Sequence, residues 1–117
     1  MFTIKKTFTF EAAHFLPLVP SNHKCRNMHG HSYEVTLIVK GPIDEDRGWV
    51  CDFAVLSAEG EKIRKQLDHR CLNEIEGLEN PTSELLARWI FLRSKAQLSS
   101  VIVSETRTSS AEYHAHK

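Results

Sequence analysis

The stretch HGHSYEVTLIVKG, residues 29–41, alternates between two kinds of side chain along most of its length. One parity carries polar side chains such as Ser32, Glu34 and Lys40. The other parity carries rings and aliphatic groups, namely His29, His31, Tyr33, Val35, Leu37 and Val39. A period of two residues is typical of a strand with one buried face, so the stretch predicts a long strand that ends at Gly41-Pro42.

The N-terminus shows the same alternation. One set of alternate positions is mostly aromatic or aliphatic and consists of Phe2, Ile4, Phe8, Phe10, Ala12 and His14. The positions between them are polar, namely Thr3, Lys5, Thr7, Thr9 and Glu11. A loop marked by Pro17, Pro20, Ser21 and Asn22 follows and runs to about Met28. If the two strands pair as a hairpin across this loop, His14 comes close to His29 and His31.

Two helices are expected in the middle of the chain, where the apolar period changes from two residues to three or four. The first begins after Asp52, a predicted N-cap, and ends near Asp68. The second follows Asn80-Pro81-Thr82, which supplies cap residues and a proline suited to a first helical turn. Its apolar residues are Leu85, Leu86, Trp89, Ile90 and Leu92.

Two further strands complete the prediction. Residues 101–103 form a short buried strand that ends at Glu105, and residues 111–114 form another. The order β-β-α-α-β-β predicts an α+β fold, a single domain over residues 1–117, in which an antiparallel sheet carries both helices on one face. Such a sheet has open edges, which neighbouring subunits can cover.

Composition excludes several classes of protein. The chain has 117 residues and equal numbers of basic and acidic side chains, 15 of each, which argues against nucleic acid as a partner. No apolar run is long enough to cross a bilayer, and the N-terminus lacks the apolar core of a signal peptide. Three cysteines without a C-x-x-C pair favour a reduced, cytoplasmic protein with free thiols. Seven histidines, more than the five glycines, are the unusual feature.

The histidines predict a metal site. His29 and His31 project to the same side of an extended chain, and Gly30 between them lets the backbone approach closely. With His14 nearby, three neutral imidazoles and an open fourth position match catalytic zinc better than structural zinc. The competing interpretation is that each histidine is an ordinary core or surface residue, which is the commoner role of a lone histidine in a strand.

Other candidate catalytic groups stand at Cys25, Asp68, His69 and Glu105. Cys25 could act as a general base in its thiolate form, or it could be a fourth zinc ligand that closes the site. Asp68 could orient the ring of His69, or the pair could simply be the polar end of a helix. Glu105 would lie on the apolar side of its strand, either to protect a sheet edge or to accept N–H groups of a ligand.

Five motifs stand in one order along nearly the whole chain. They are residues 10–14 (FEAAH), 25–31 (C-x-x-x-HGH), 67–73 (LDH-x-x-LN), 80–84 (NPTSE) and Glu105. In this order the chain resembles the 6-pyruvoyltetrahydropterin synthase family. The resemblance implies the tunnelling fold, in which three β-β-α-α-β-β subunits join their sheets into a barrel and two barrels stack into a homohexamer.

The resemblance also implies roles for individual residues. His14, His29 and His31 would bind Zn²⁺, and Cys25 would be the base that abstracts a proton from carbon. Asp68 and His69 would relay protons, and Glu105 would anchor the pterin. The substrate implied is 7,8-dihydroneopterin triphosphate. Lys24, Arg26 and Arg47 are candidates for holding its triphosphate.

The short spacing between Cys25 and His29 is most similar to the bacterial branch of this family, which acts in queuosine biosynthesis. That branch is a carbon–carbon lyase that forms 6-carboxytetrahydropterin and releases acetaldehyde and triphosphate. The alternative is the 6-pyruvoyl reaction, in which triphosphate is eliminated and the side-chain carbons are kept. A more distant alternative is a non-catalytic module in which zinc is held by all three histidines together with Cys25.

Overall fold

The two long strands pair along their whole length in a computed structural model that describes residues 1–116. Strand β1 (Phe2–His14) runs antiparallel to β2 (His29–Gly41), with Phe2 opposite Gly41 and His14 opposite His29. Cross-strand pairs such as Phe10 with Tyr33, whose rings stack 4.8 Å apart, fix this register on the buried face. The predicted hairpin is confirmed, and the end beside its connecting loop carries the histidines.

Three shorter strands extend the sheet in the order β3-β1-β2-β4-β5. Strands β4 (Ser100–Ser104) and β5 (Ser110–His114) are antiparallel neighbours, and β4 pairs with β2. Strand β3 (Arg70–Cys71) runs parallel to the end of β1. The sequence pattern did not predict β3, because a strand of two residues is too short to show a period.

Helix α1 (Phe53–Leu67) and helix α2 (Ser83–Arg93) lie where the apolar spacing predicted them. The Asp52 carboxylate accepts the backbone N–H of Ala54 at 2.9 Å, so this residue is the N-cap that the sequence indicated. Thr82 caps α2, and Pro81 therefore precedes the helix instead of lying in its first turn. This placement corrects the prediction and leaves the Pro81 carbonyl available to a neighbouring side chain.

Both helices pack on one face of the sheet around a single core. Its buried members include Phe10, Tyr33, Val35, Leu37, Leu56, Ile63, Leu67, Leu86, Ile90, Val101 and Val103. Burying one such side chain stabilises the fold by about 1.5–3 kcal/mol, so the core holds the strand ends rigidly beside the helices. Leu92 does not join the core, because it lies on the outer face of α2 and is 67% exposed.

Besides these elements, two short 3₁₀ helices occupy Lys24–Arg26 and Leu72–Glu74. The first lies in the loop that joins β1 to β2, and the second directly follows β3. Within residues 1–116, neither α-helix has the length and apolar character needed to cross a membrane.

Candidate active site

The hairpin brings three imidazoles together at the end that adjoins its connecting loop, residues 15–28. His14 and His29 are the last pair of the β1–β2 ladder, and His31 lies two residues further along β2 on the same face. One ring nitrogen from each residue lies within 4.8 Å of the others. We call these residues the histidine triad, and their proximity is what the alternation predicted.

Two backbone carbonyls determine the tautomers of His14 and His29. His14 Nδ1 lies 2.9 Å from the Pro81 carbonyl oxygen, and His29 Nδ1 lies 2.7 Å from that of Asn27. Because a carbonyl oxygen only accepts, each Nδ1 must be the donor. In a neutral ring the Nε2 atom then carries a lone pair. The two Nε2 atoms are 3.0 Å apart, so their lone pairs face each other across a gap that suits a cation.

The third imidazole points into the same place without a hydrogen-bond partner. His31 Nε2 is buried, and its nearest acidic atom, Glu105 Oε2, lies 3.5 Å away, which is too long for a good hydrogen bond. Burial lowers the pKa of both His14 and His31, although Glu105 opposes this effect in each case. Neutral His31 therefore forms no ion pair with Glu105 at neutral pH. Three imidazoles that converge on one point fit a bound metal ion.

Cys25 lies in the first 3₁₀ helix, outside this group of ligand atoms. Its backbone N–H donates to His23 Nδ1 at 3.1 Å, and its carbonyl accepts the Leu16 N–H at 2.8 Å. The thiol is half-buried and free. Among residues 1–116, the group of side chains close enough to share a metal contains the three histidines and not Cys25. This arrangement favours an open metal position over a closed site with four protein ligands.

Asp68 and His69 form a hydrogen-bonded pair, which we call the dyad. Asp68 caps the end of α1, and its Oδ2 atom accepts from His69 Nδ1 at 2.9 Å. Its Oδ1 atom accepts the Glu11 N–H at 2.9 Å. That backbone hydrogen bond, followed by the bond from His69, lowers the pKa of Asp68. The aspartate is thus a fixed anion that orients the imidazole.

His69 adopts an unusual backbone conformation. Its φ angle is +59°, in the left-handed region, which costs a residue other than glycine about 1–3 kcal/mol. The conformation lets its N–H donate to the Glu11 carbonyl at 2.6 Å and leaves its side chain 78% exposed. The ring is therefore oriented by Asp68 at Nδ1 and accessible at Nε2. This left-handed conformation could not be predicted from the sequence, because glycine is the residue that usually adopts it.

Glu105 lies just beyond β4, on the helix-covered face, as its parity predicted. Its Oε1 atom accepts the Ser83 hydroxyl at 2.7 Å, and its Oε2 atom faces His31. Ser83 was not among the predicted site residues, although it belongs to the motif that starts α2. Tyr33 was also missed as a neighbour of the triad: its ring centroid is 5.4 Å from that of His31. Burial, and then the charge of Glu105, raise the pKa of the Tyr33 hydroxyl.

An open cleft of about 520 Å³ is lined by one member of the triad, His31, and one member of the dyad, His69. Its lining comes from three short segments, residues 11–13, 30–32 and 69–71, so His31 and His69 share one cavity. Cys25 is not part of this lining. One chain thus brings the three histidines and Glu105 together, and it places His31 and His69 in the lining of a cleft that Cys25 does not line.

Comparison with known proteins identifies relatives over nearly the whole chain. A family model described as 6-pyruvoyl tetrahydropterin synthase matches residues 3–116. The chain is 43% identical to the 6-carboxy-5,6,7,8-tetrahydropterin synthase of Synechocystis sp., over 97% of this chain and 93% of that protein. It is 36% identical to the dihydroneopterin monophosphate aldolase of Pyrococcus furiosus, over 77% of this chain and 72% of that protein.

Solved structures show the same architecture. The 6-pyruvoyl tetrahydropterin synthase of Caenorhabditis elegans superposes with a TM-score of 0.88 and 27% identity, covering 98% of this chain and 96% of that one. This agreement confirms the predicted tunnelling-fold subunit, a sheet with two helices on one face. The sequence and structural matches together establish that the chain belongs to the 6-pyruvoyl tetrahydropterin synthase family.

Proposed function

We propose that the chain is a zinc-dependent lyase. It would convert 7,8-dihydroneopterin triphosphate to 6-carboxy-5,6,7,8-tetrahydropterin, with release of acetaldehyde and triphosphate, as a step of queuosine biosynthesis. The observation that carries this proposal is the convergence of three imidazoles, one of which, His31, lines the same cleft as the oriented His69. Three thiols without disulfide partners support a cytoplasmic location.

The triad would hold the metal through His14, His29 and His31. Imidazole nitrogens suit Zn²⁺, and three of them leave a coordination position for a substrate oxygen. When bound there, Zn²⁺ supplies a Lewis acid that lowers the pKa of a hydroxyl group. The Pro81 and Asn27 carbonyls keep two of the imidazoles in the tautomer that such binding requires.

The remaining groups would handle protons and orientation. Cys25, as thiolate, would take the proton from a side-chain carbon of the substrate at Sγ. The Nε2 atom of His69 would exchange a proton with the substrate, while Asp68 stabilises the protonated ring through Nδ1. Glu105, held by Ser83, would accept N–H groups of the pterin ring and fix its orientation.

The choice of product rests on relatives and on spacing. The Synechocystis relative is named for the 6-carboxy product, and this chain matches it over almost its full length. Three residues separate Cys25 from His29, whereas the 6-pyruvoyl enzymes tend to have a longer insertion there. The Pyrococcus relative is named for an aldolase acting on dihydroneopterin monophosphate, which makes the monophosphate a useful second substrate to test.

Product analysis tests the proposed reaction directly. The zinc-loaded protein is incubated with dihydroneopterin triphosphate, and acetaldehyde, triphosphate and the pterin are measured by chromatography and mass spectrometry. We expect one acetaldehyde and one triphosphate for each 6-carboxytetrahydropterin. Triphosphate without acetaldehyde would instead indicate the 6-pyruvoyl reaction. Turnover of dihydroneopterin monophosphate without turnover of the triphosphate would assign the aldolase activity to the chain.

We further propose that the working enzyme is a homohexamer, a dimer of barrel-forming trimers, and that each active site forms between two subunits. Strand β3 covers β1 only at Ala12 and Ala13, so most of that sheet edge is open for a neighbour's strand. The outer edge of β5 is open in the same way. A shared site would also let the thiol of one subunit meet the dyad of the next.

Subunit complementation tests the shared site. Cys25→Ala and His69→Ala subunits, each inactive alone, are mixed in equal amounts, unfolded and refolded together. If the two groups come from different subunits, roughly a quarter of the interfaces regain both, and activity returns to a comparable fraction. A mixture of Cys25→Ala with the Cys25→Ala/His69→Ala double variant should stay inactive. No recovery in mixtures shown to contain both subunits would place the two groups in one chain.

A further inference from the structure

Asn73 belongs neither to the histidine triad nor to the dyad, yet its side chain connects three parts of the chain. Its Oδ1 atom accepts the Phe15 N–H at 3.0 Å. Its Nδ2 atom donates to the Phe15 carbonyl at 2.8 Å and to the Glu79 carbonyl at 3.3 Å. An amide side chain has the same donor and acceptor groups as a peptide, so Asn73 pairs with Phe15 as a neighbouring strand would.

The pairing of Asn73 with Phe15 continues the edge pairing of β1 beyond the end of β3. Strand β3 accompanies β1 only as far as Cys71, which is opposite Ala13. The backbone then turns into the second 3₁₀ helix and leaves the sheet edge. The Asn73 amide supplies the next pairing, at Phe15. His14 thus lies between a backbone pairing on one side and a side-chain pairing on the other.

The third hydrogen bond of Asn73 reaches the segment that orients the His14 ring. Glu79 stands two residues before Pro81, whose carbonyl accepts from His14 Nδ1. Asn73 therefore binds both the backbone that carries His14 and the segment that fixes its tautomer. Since His14 is 1% exposed, its ring has little room to recover its position if either segment shifts.

We propose that Asn73 is a positioning residue for the metal centre. Its amide holds the Nε2 atom of His14 at the point where the three imidazoles converge. This inference rests on the proposed metal site at the triad. Asn73 would contact neither metal nor substrate and would act only by holding the His14 ring in position. Hydrogen-bond partners of metal-binding histidines commonly have this role.

Two substitutions separate this role from a general contribution to folding. Asn73→Asp keeps the shape and can still accept the Phe15 N–H, but it cannot donate to the two carbonyls and places a negative charge against them. Asn73→Ala removes these three hydrogen bonds and the weak one that the Cys71 thiol donates to Oδ1 at 3.8 Å. Ser99→Ala is a matched control, because the Ser99 hydroxyl accepts the Lys40 N–H at 2.9 Å and so bridges distant segments outside the triad.

Metal affinity is the decisive measurement. Each metal-free variant is checked for folding by circular dichroism and titrated with Zn²⁺ against a chromophoric chelator. We expect affinity about 10- to 100-fold weaker for both Asn73 variants and unchanged for Ser99→Ala. The visible absorption of the Co²⁺-loaded protein should change only in the Asn73 variants, because it reports ligand geometry.

Wild-type affinity and an unchanged Co²⁺ spectrum in a folded Asn73 variant would overturn the proposal. If neither variant folds without metal, both are refolded with Zn²⁺ present. A rise in melting temperature on metal addition equal to that of the wild type would then overturn it equally. A wild-type chain that binds no metal would contradict the proposed function itself, and this inference with it, so the two failures are distinguishable.

Discussion

His29→Ala is expected to lose its bound metal and its turnover while the chain remains folded. Structural zinc binding is worth about 10–16 kcal/mol over four ligands, so one imidazole accounts for roughly 3 kcal/mol and affinity should fall about 100-fold. His29 is the suitable ligand to remove because it is only half-buried, whereas His14 is fully enclosed. Metal content after gel filtration and chelator competition measure the loss.

The control for this substitution is His114→Ala. His114 is exposed on β5, and its nearest acidic partner, Glu112, lies 3.7 Å away, so its removal should change neither metal content nor turnover. Without metal, the free energy of unfolding of His29→Ala should lie within about 1 kcal/mol of that of the metal-free wild type. The variant loses one exposed hydrogen bond but also relieves the opposed Nε2 lone pairs. One equivalent of tightly held metal in His29→Ala would contradict the proposed ligand set.

The sequence predicted the elements whose side chains follow a clear period and missed those that are too short to show one. Strands β1 and β2 are long enough for a period of two to be unmistakable, and their hairpin follows from the loop between them. Strand β3 and the 3₁₀ helices contain two or three residues each, which is too few for any period. Their positions depend instead on the edge of β1, which exists only in the folded sheet.

The predicted site residues were those whose side-chain type is itself informative. Histidines at alternate positions of a strand must share a face, so His29 and His31 could be paired before the fold was known. The groups that orient them are the carbonyls of Pro81 and Asn27, and every residue has a carbonyl. Asn73 was visible in a motif, but its contacts with Phe15 and Glu79 depend on tertiary packing.

Cys25→Ala is expected to separate the two roles that the sequence left open for the thiol. The side chain makes no hydrogen bond within residues 1–116 and lies outside the cluster of metal ligands, so the variant should fold and keep its zinc. Loss of a general base typically reduces turnover by about 10²- to 10⁴-fold. The assay is the acetaldehyde release described above, at saturating substrate and with metal content measured on the same sample.

Cys51→Ala is the matched control, because Cys51 is also a half-buried free thiol but packs against the core instead of lying near the triad. It should lose some stability and keep its turnover. Undiminished turnover in a folded, zinc-loaded Cys25→Ala variant would refute the role of the thiol as base. Loss of zinc together with stability would instead favour the non-catalytic module with four ligands. The combination of retained metal and lost turnover is accounted for only by a thiol that acts on the substrate.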